Sequence, residues 1–454
     1  MESAISVNTG AWYGDRQMDL PIPPGWDVNV LCPVTPPPLN AEELAAILDR
    51  PVGQGSLSEI LKGKSRPLII VDDLNRPTPA SVIIPLLLRK ICAENIRPEN
   101  VTILMATGTH GKPAPDAILK KVGKEGASCR LLIHDCFADV IKIGVTTRGT
   151  PVFVNKAVLD SDVIIGVSGI YPNHTAGFSG GSKLALGVLG IRSIYHLHFR
   201  HKPVHWGHPD TDTPFRRELD EIAGMIGMKT HVSLIIDVNR NIIKMYCGDQ
   251  RIYFAEAVSF YLKTFRIPVT DDFDVVISNT YPNDLSLTFA RMKGFVPLDS
   301  CRSGASRVAI ASCNEGPGLH NIWPFVNVPQ FHKVKHVLRI LSVISFAETI
   351  FRIQRVSQRK LAAPLKKWSF GHSRASDEQK RVNPVWLYRT GEQAVMLPSS
   401  VPGINITPHW PEIVEAVRRE QSDRHDLRVV VYPCAFLQLP QITNGAVAMN
   451  IRDV

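Results

Sequence analysis

The sequence predicts an α/β protein: two α/β domains with parallel-rich sheets and the active site in the cleft between them. Three observations carry that expectation. Short, largely apolar runs of strand length, such as 67–71 and 101–106, each lead into a polar loop and then into helical spacing. The same order recurs around 130–134 and 162–167, and begins afresh at 273–278. Strands that are apolar throughout are buried on both faces, which calls for a parallel sheet covered by helices. The 454 residues also exceed what a single core ordinarily organises.

Taken in order, residues 11–32 alternate apolar and polar around Pro21, Pro23, Pro24 and Gly25, the pattern of an antiparallel hairpin. A proline-rich run, 33–38, breaks the chain. Asn40 then opens a helix, with Glu43 in capping-box position. Strand 67–71 closes on Asp72-Asp-Leu-Asn-Arg-Pro-Thr-Pro79 before helix 80–91, and strand 101–106 closes on Thr107-Gly-Thr-His-Gly111 before helix 115–122. Strand 162–167 feeds a glycine-rich stretch. In doubly wound sheets ligands sit at the carboxyl ends of the strands, so these three loops should meet at one rim. A helix over 214–226 and a hairpin over 231–245 complete a first domain, 1–268. The second, 269–454, has strand 273–278, helix 285–292, strand 307–312 and the polar turn 313–318; its last strand, 427–432, is free to return to either domain.

Composition excludes several classes. A content of 44% hydrophobic and 20% charged residues is that of a soluble globular protein, and no apolar window approaches the length of a membrane span. With no signal-like start, a cytoplasmic protein that engages no membrane is expected. The eight cysteines form no CxxC pair, so neither a zinc ribbon nor a dithiol site is written here. The net charge of +9 is accounted for by residues 333–389, with thirteen Lys and Arg against three acids. That is a solvated basic surface rather than a nucleic-acid face.

The chemistry gathers at Gly177-Phe-Ser-Gly-Gly-Ser-Lys183. Its glycines leave backbone N–H groups open to an anion. A Walker A loop needs Gly before the lysine and Ser or Thr after it; here Ser182 precedes Lys183 and Leu184 follows, so a nucleoside-triphosphate loop is excluded. A lysine beside such a loop can anchor a cofactor covalently. Arg76 offers a planar fork for a carboxylate, and Asp73 could orient a hydroxyl or a sugar. His110 is a glycine-flanked loop histidine at the same rim. Downstream lie His196, His198, His201, His205 and His208, with no HExxH and no carboxylate among them; the i,i+2 pair suits a strand or loop more than a helix face. One of these binding a soft transition metal, whose other ligands come from a cofactor, is chemically reasonable.

Together these stretches resemble the nickel-pincer lactate racemases and their homologues. The likeness runs over roughly residues 10–320, through Asp73-Leu-Asn-Arg-Pro77, Ala106-Thr-Gly-Thr-His110, Ala176-Gly-Phe-Ser-Gly-Gly-Ser-Lys183, Phe215-Arg-Arg-Glu-Leu-Asp-Glu-Ile-Ala223, Gly248-Asp249, Met292-Lys-Gly294 and Asn314-Glu-Gly-Pro-Gly318. The resemblance implies racemisation or epimerisation of a 2-hydroxy acid by hydride transfer to a nickel-pincer nucleotide (pyridinium-3,5-bisthiocarboxylic acid mononucleotide nickel) joined to Lys183. It implies His110 and His174 as acid and base, Arg76 and Lys293 as grips on the substrate carboxylate, and Asp73, Ser179, Gly180 and Gly181 around the nucleotide. His198 is the implied nickel ligand, with His196 and His201 as alternatives. Partners would be the small-molecule substrate and the enzymes that make the cofactor. Two positions depart from the pattern: Asn173 stands where a histidine usually follows the proline, and Ala290 where glutamine is usual. Both touch substrate handling and point to a substrate other than lactate. Other readings of the same loop are a nickel-independent phosphate- or nucleotide-binding enzyme of transferase type, and a binding homologue without turnover.

Overall fold

The computed structural model describes residues 4–318, 320, 383–391 and 397–443. The apolar run 334–344 and the basic stretch 361–376 lie outside these residues. Two parallel-rich sheets organise the rest, as the apolar strands require. The first has six strands in the order Ile242–Gly248, Thr230–Ile236, Val163–Gly169, Pro67–Asp72, Thr102–Ala106, Arg130–Ile133. All neighbours are parallel except the Ile242–Gly248 edge, which forms the expected hairpin with Thr230–Ile236. Every residue of Pro67–Asp72 is buried, as a central strand covered on both faces must be.

The second sheet has seven strands: Ser400–Val401, Ile404–Thr407, Val385–Arg389, Ser306–Ala311, Val275–Asn279, Leu427–Tyr432, Trp26–Val30. Leu427–Tyr432 therefore lies inside this sheet. Trp26–Val30 pairs with it in parallel, which corrects the expected hairpin over 11–32. The antiparallel ribbon is instead Ala4–Thr9 with Arg16–Pro21. The alternation that suggested one hairpin belongs to two strands of different sheets, separated by the Pro23-Pro-Gly25 turn.

Helix starts follow local chemistry. Asn40 caps Ala41–Asp49 with the full reciprocal box to Glu43, and Pro115 opens Pro115–Gly126 at a first-turn position, where its missing N–H costs nothing. After Tyr432 the chain turns back. Phe436 and Leu437 enter the core beside Tyr171, Phe178 and Tyr261, and Leu439–Ile442 pairs in parallel with Arg266–Val269. Among the described residues, no helix is long and apolar enough to cross a membrane.

Candidate active site

Asp72 and Ala106 are direct partners at the ends of neighbouring strands, and Val71 pairs with Val167 on the other side. The three loops that follow are thus delivered to one rim. The glycine-rich loop returns across them as a short helical segment, Gly181–Val188, that bears Lys183. Its close approach depends on two glycines. Gly187 lies so near the second loop that a Cβ there would sit 2.6 Å from that of Ala106, while its carbonyl accepts from the N–H of Gly108 at 2.9 Å. Gly180 has φ +88°, a region L side chains avoid.

These elements enclose a cavity of about 130 Å³. From the first sheet's loops it is lined by Asp73, Arg76 and His110; from the glycine-rich loop by Asn173, His174, Ser179, Gly180 and Lys183. Helix Ile191–Arg200 contributes His198, and the chain beyond strand Val275–Asn279 of the second sheet contributes Phe289, Lys293 and His320. Gly181, expected at the nucleotide, does not line the cavity. It faces Gln250, whose Oε1 would lie 2.5 Å from a Cβ at that position.

Nδ1–H of His110 donates to Oδ2 of Asp73 at 2.5 Å, and the Asn75 amide donates to the same oxygen at 3.0 Å. Burial would raise the Asp73 carboxyl, but His110, Arg76 and Asn75 outweigh it and hold the group ionised. Burial pushes the His110 ring below its ordinary 6.5 despite that carboxylate. A neutral ring that donates from Nδ1 keeps a lone pair on Nε2.

Lys183 makes no ion pair among the described residues. Burial, with Arg76 and Arg216 nearby, lowers its amine to about 7. Arg216 also holds the loop's shape, donating to the carbonyls of Phe178 (2.9 Å) and Gly180 (3.2 Å) with its guanidinium over Phe254. Lys293 is buried, donates to the Asn75 carbonyl at 3.2 Å, and is held well below the ordinary lysine value by burial and by Arg76. Arg76 donates to the same carbonyl at 2.8 Å.

Beneath this corner, the fully buried Lys121 bonds the Asp72 carboxylate at 2.6 Å and the carbonyls of Asp73 (3.3 Å) and Arg76 (2.8 Å). One ammonium saturates its three donors on the two ends of the turn that carries Asp73 and Arg76. Sequence reasoning passed over Lys121, because its helical spacing reads as an ordinary surface lysine.

The histidine-dense segment corrects the strand-or-loop expectation: residues 191–200 are helical, with Ile194, Tyr195, Leu197 and Phe199 buried. At about 100° per residue, His196 and His198 point some 200° apart, so one can enter the cavity and the other cannot. His198 is the one that enters. Its Nδ1–H donates to the Ile194 carbonyl at 2.8 Å, which leaves Nε2 as a lone-pair donor, and burial lowers the ring to about 4. His201 instead faces buried Glu218, its Nε2 2.5 Å from the carboxylate.

Asn173 accepts from the N–H groups of Thr175 (2.9 Å) and Ala176 (3.0 Å), so its side chain shapes the loop. His174 is exposed at the cavity mouth, its ring packed at a tilt against Trp206, with Nε2–H donating to the Met292 carbonyl at 2.7 Å. His320 follows the Asn314–Gly318 turn by two residues and carries no signal of its own in the sequence. Its ring lies 5.2 Å from that of His110, centroid to centroid.

Residues 13–207 match the model of the lactate racemase N-terminal domain. The lactate racemase of Lactiplantibacillus plantarum is 25% identical over 295 residues, 62% of this chain and 69% of that protein. The lactate racemase of Thermoanaerobacterium thermosaccharolyticum is 26% identical over 280 residues, 60% of this chain and 65% of that protein. Among solved structures, the lactate racemase apoprotein from T. thermosaccharolyticum superposes with a TM-score of 0.64 at 18% identity, covering 96% of this chain and all of that one. A Thermotoga maritima protein superposes at 0.54 and 14% identity, covering 90% of this chain and all of its own. These two likenesses bear on the fold.

Proposed function

We propose that this chain, a homologue of the lactate racemases, is an isomerase that inverts the hydroxyl-bearing carbon of a 2-hydroxy acid with a nickel-pincer nucleotide tethered to Lys183. The observation that carries the reading is the meeting of Lys183, His198 and His110, from three separate elements, around one cavity.

The residues fit the group. Lys183 presents an amine with a free lone pair near neutral pH, which is what a covalent linkage needs. His198 presents an Nε2 oriented by its bond to Ile194, the arrangement expected of a metal-binding imidazole. Ser179 and Gly180 would lie along the nucleotide. When bound, the cofactor supplies an electron-poor pyridinium ring that takes up a hydride and gives it back.

The chain's own residues do the rest. Arg76 and Lys293, both on the Asn75 carbonyl, grip the substrate carboxylate and fix the carbinol carbon. Nε2 of His110 takes the hydroxyl proton as the hydride departs. The Asp73 carboxylate holds the tautomer and stabilises the imidazolium that forms. Phe289 and Trp206 form apolar walls that limit water. Inversion would also need a residue that hands a proton back to the substrate oxygen. His174 is the expected donor, although its Nε2–H is engaged by Met292. Ala290 and Asn173, at the two positions departing from the family pattern, support a substrate other than lactate.

The test is an intact mass of protein made in a host that produces the cofactor, alongside Lys183→Ala. The wild type should carry the nucleotide adduct and bound nickel, and the variant neither; an adduct persisting in the variant defeats the reading.

A further inference from the structure

We propose that His320 is a proton-transfer residue paired with His110: it receives the proton that His110 takes from the substrate hydroxyl and returns it to the 2-oxo oxygen. The inference rests on the reaction proposed above and supplies the second proton position that reaction needs.

Four observations carry it. His320 lines the cavity that holds Lys183, His110 and His198. Its ring meets that of His110 edge-on, centroids 5.2 Å apart and planes at 61°, and Phe289 packs against both rings. The two backbones form an isolated antiparallel bridge, so the pair is held by main chain as well as by side-chain packing. Nδ1 of His320 is buried and has no hydrogen-bond partner among the described residues. An imidazole nitrogen shut away from water with nothing to bond is costly unless a bound ligand supplies the partner. Burial and the neighbouring His110 keep the ring neutral and oppose its protonation, so it holds a proton only in passing, on the way to the substrate oxygen.

The other candidates are occupied. Asn173 has no acid or base to offer and is bonded to its own loop; His174 spends its Nε2–H on Met292 at the mouth. Adjacency also closes the proton count. In the forward half, the hydroxyl O–H bond breaks to His110 and the carbon–hydrogen pair leaves as hydride to the oxidised ring, giving a 2-oxo acid and a His110 imidazolium. The proton crosses to neutral His320. In the return half, hydride adds to the other face of the carbonyl carbon and His320 protonates the oxygen. Both rings end neutral, and the enzyme is reset without exchange with solvent.

Holoenzyme in excess over a single enantiomer of the substrate, quenched and assayed for 2-oxo acid and for the opposite enantiomer, tests the pair. His320→Gln should still yield 2-oxo acid from one enantiomer, while formation of the inverted product falls about 10²-fold or more. His320→Gly should recover inversion with added imidazole. Equal melting temperature, nickel content and Lys183 adduct mass in the variants show that the fold and cofactor are kept. In cofactor-free protein, histidine ¹⁵N spectra titrated with sodium lactate should move the His110 and His320 resonances together. Inversion unchanged in His320→Gln, a one-sided defect in His174→Gln alone, or a His320 resonance that stays still while that of His110 moves overturns the proposal. Wild-type holoenzyme that makes no 2-oxo acid from either enantiomer of any 2-hydroxy acid signals failure of the wider reading, and the proton pair falls with it.

Discussion

Nδ1 of His110 lies 2.5 Å from Oδ2 of Asp73, joining the loops that leave two neighbouring strands 37 residues apart in sequence. A buried carboxylate on one side of an imidazole determines which nitrogen is left to accept a proton on the other. Asp73→Asn should lower kcat for the 2-hydroxy acid by about 10²–10³-fold. Steady-state kinetics beside an intact mass checks this: the Lys183 adduct should be as abundant as in the wild type. A loss of adduct in proportion to activity would place Asp73 on the cofactor instead.

The acid side of the pH profile follows from the same ring. Burial sets His110 below its ordinary 6.5, and the base works only when neutral. The neutral form is lost as pH falls through the lowered value, so kcat/KM should stay level down through pH 6.5 and bend below it. A profile already bending above 6.5 would mean that Asp73 dominates over burial.

Lys183 should be chemically distinctive before any cofactor is attached. With its amine at about 7, acetylation of the cofactor-free protein at neutral pH should modify Lys183 at least about tenfold faster than ordinary surface lysines, read by peptide mass. Labelling at the surface rate would show a protonated ammonium.

The ion pair below the site is a stability element. Lys121→Met leaves the Asp72 carboxylate buried without its cation and should cost about 3–5 kcal/mol in urea unfolding. Adding Asp72→Asn should restore part of the loss, because the uncompensated charge is gone. A double variant no more stable than the single would point to the carbonyl bonds of Asp73 and Arg76 as the larger contribution.

Metal analysis separates the histidines of one helix. His198→Ala should keep the Lys183 adduct but lose most of its nickel, measured by elemental analysis after gel filtration. His196→Ala should change neither, since its side chain leaves the helix on another face.

Much of this arrangement was legible from residue order. The apolar runs at 67–71 and 163–167 can only be central parallel strands, and their polar exits then share a rim. Arg76, His110 and Lys183 were recognisable because each sits on such an exit. Pairings across the fold were not: nothing in spacing says that Asp73 bonds His110, or that Lys121 reaches beneath both. His320 had no local signal, being a lone histidine after a glycine turn, and its place beside His110 is visible only in the fold. Alternating His196 and His198 imitate a strand; Leu197 between them is instead buried in the apolar cluster on the inner face of a helix.

The return of the chain after Tyr432 bears on how the protein is made. Phe436 and Leu437 share one apolar cluster with Leu44, Val71 and Tyr171, and Leu439–Ile442 is zipped to Arg266–Val269. During synthesis the first sheet therefore waits, with part of its core uncovered, until residues beyond 430 have emerged. Contacts that span so much of the chain fold slowly and leave apolar surface open to misassociation in the interval. The core beneath the glycine-rich loop is consequently closed only after residues 436–442 have been made, some 250 residues after the loop itself.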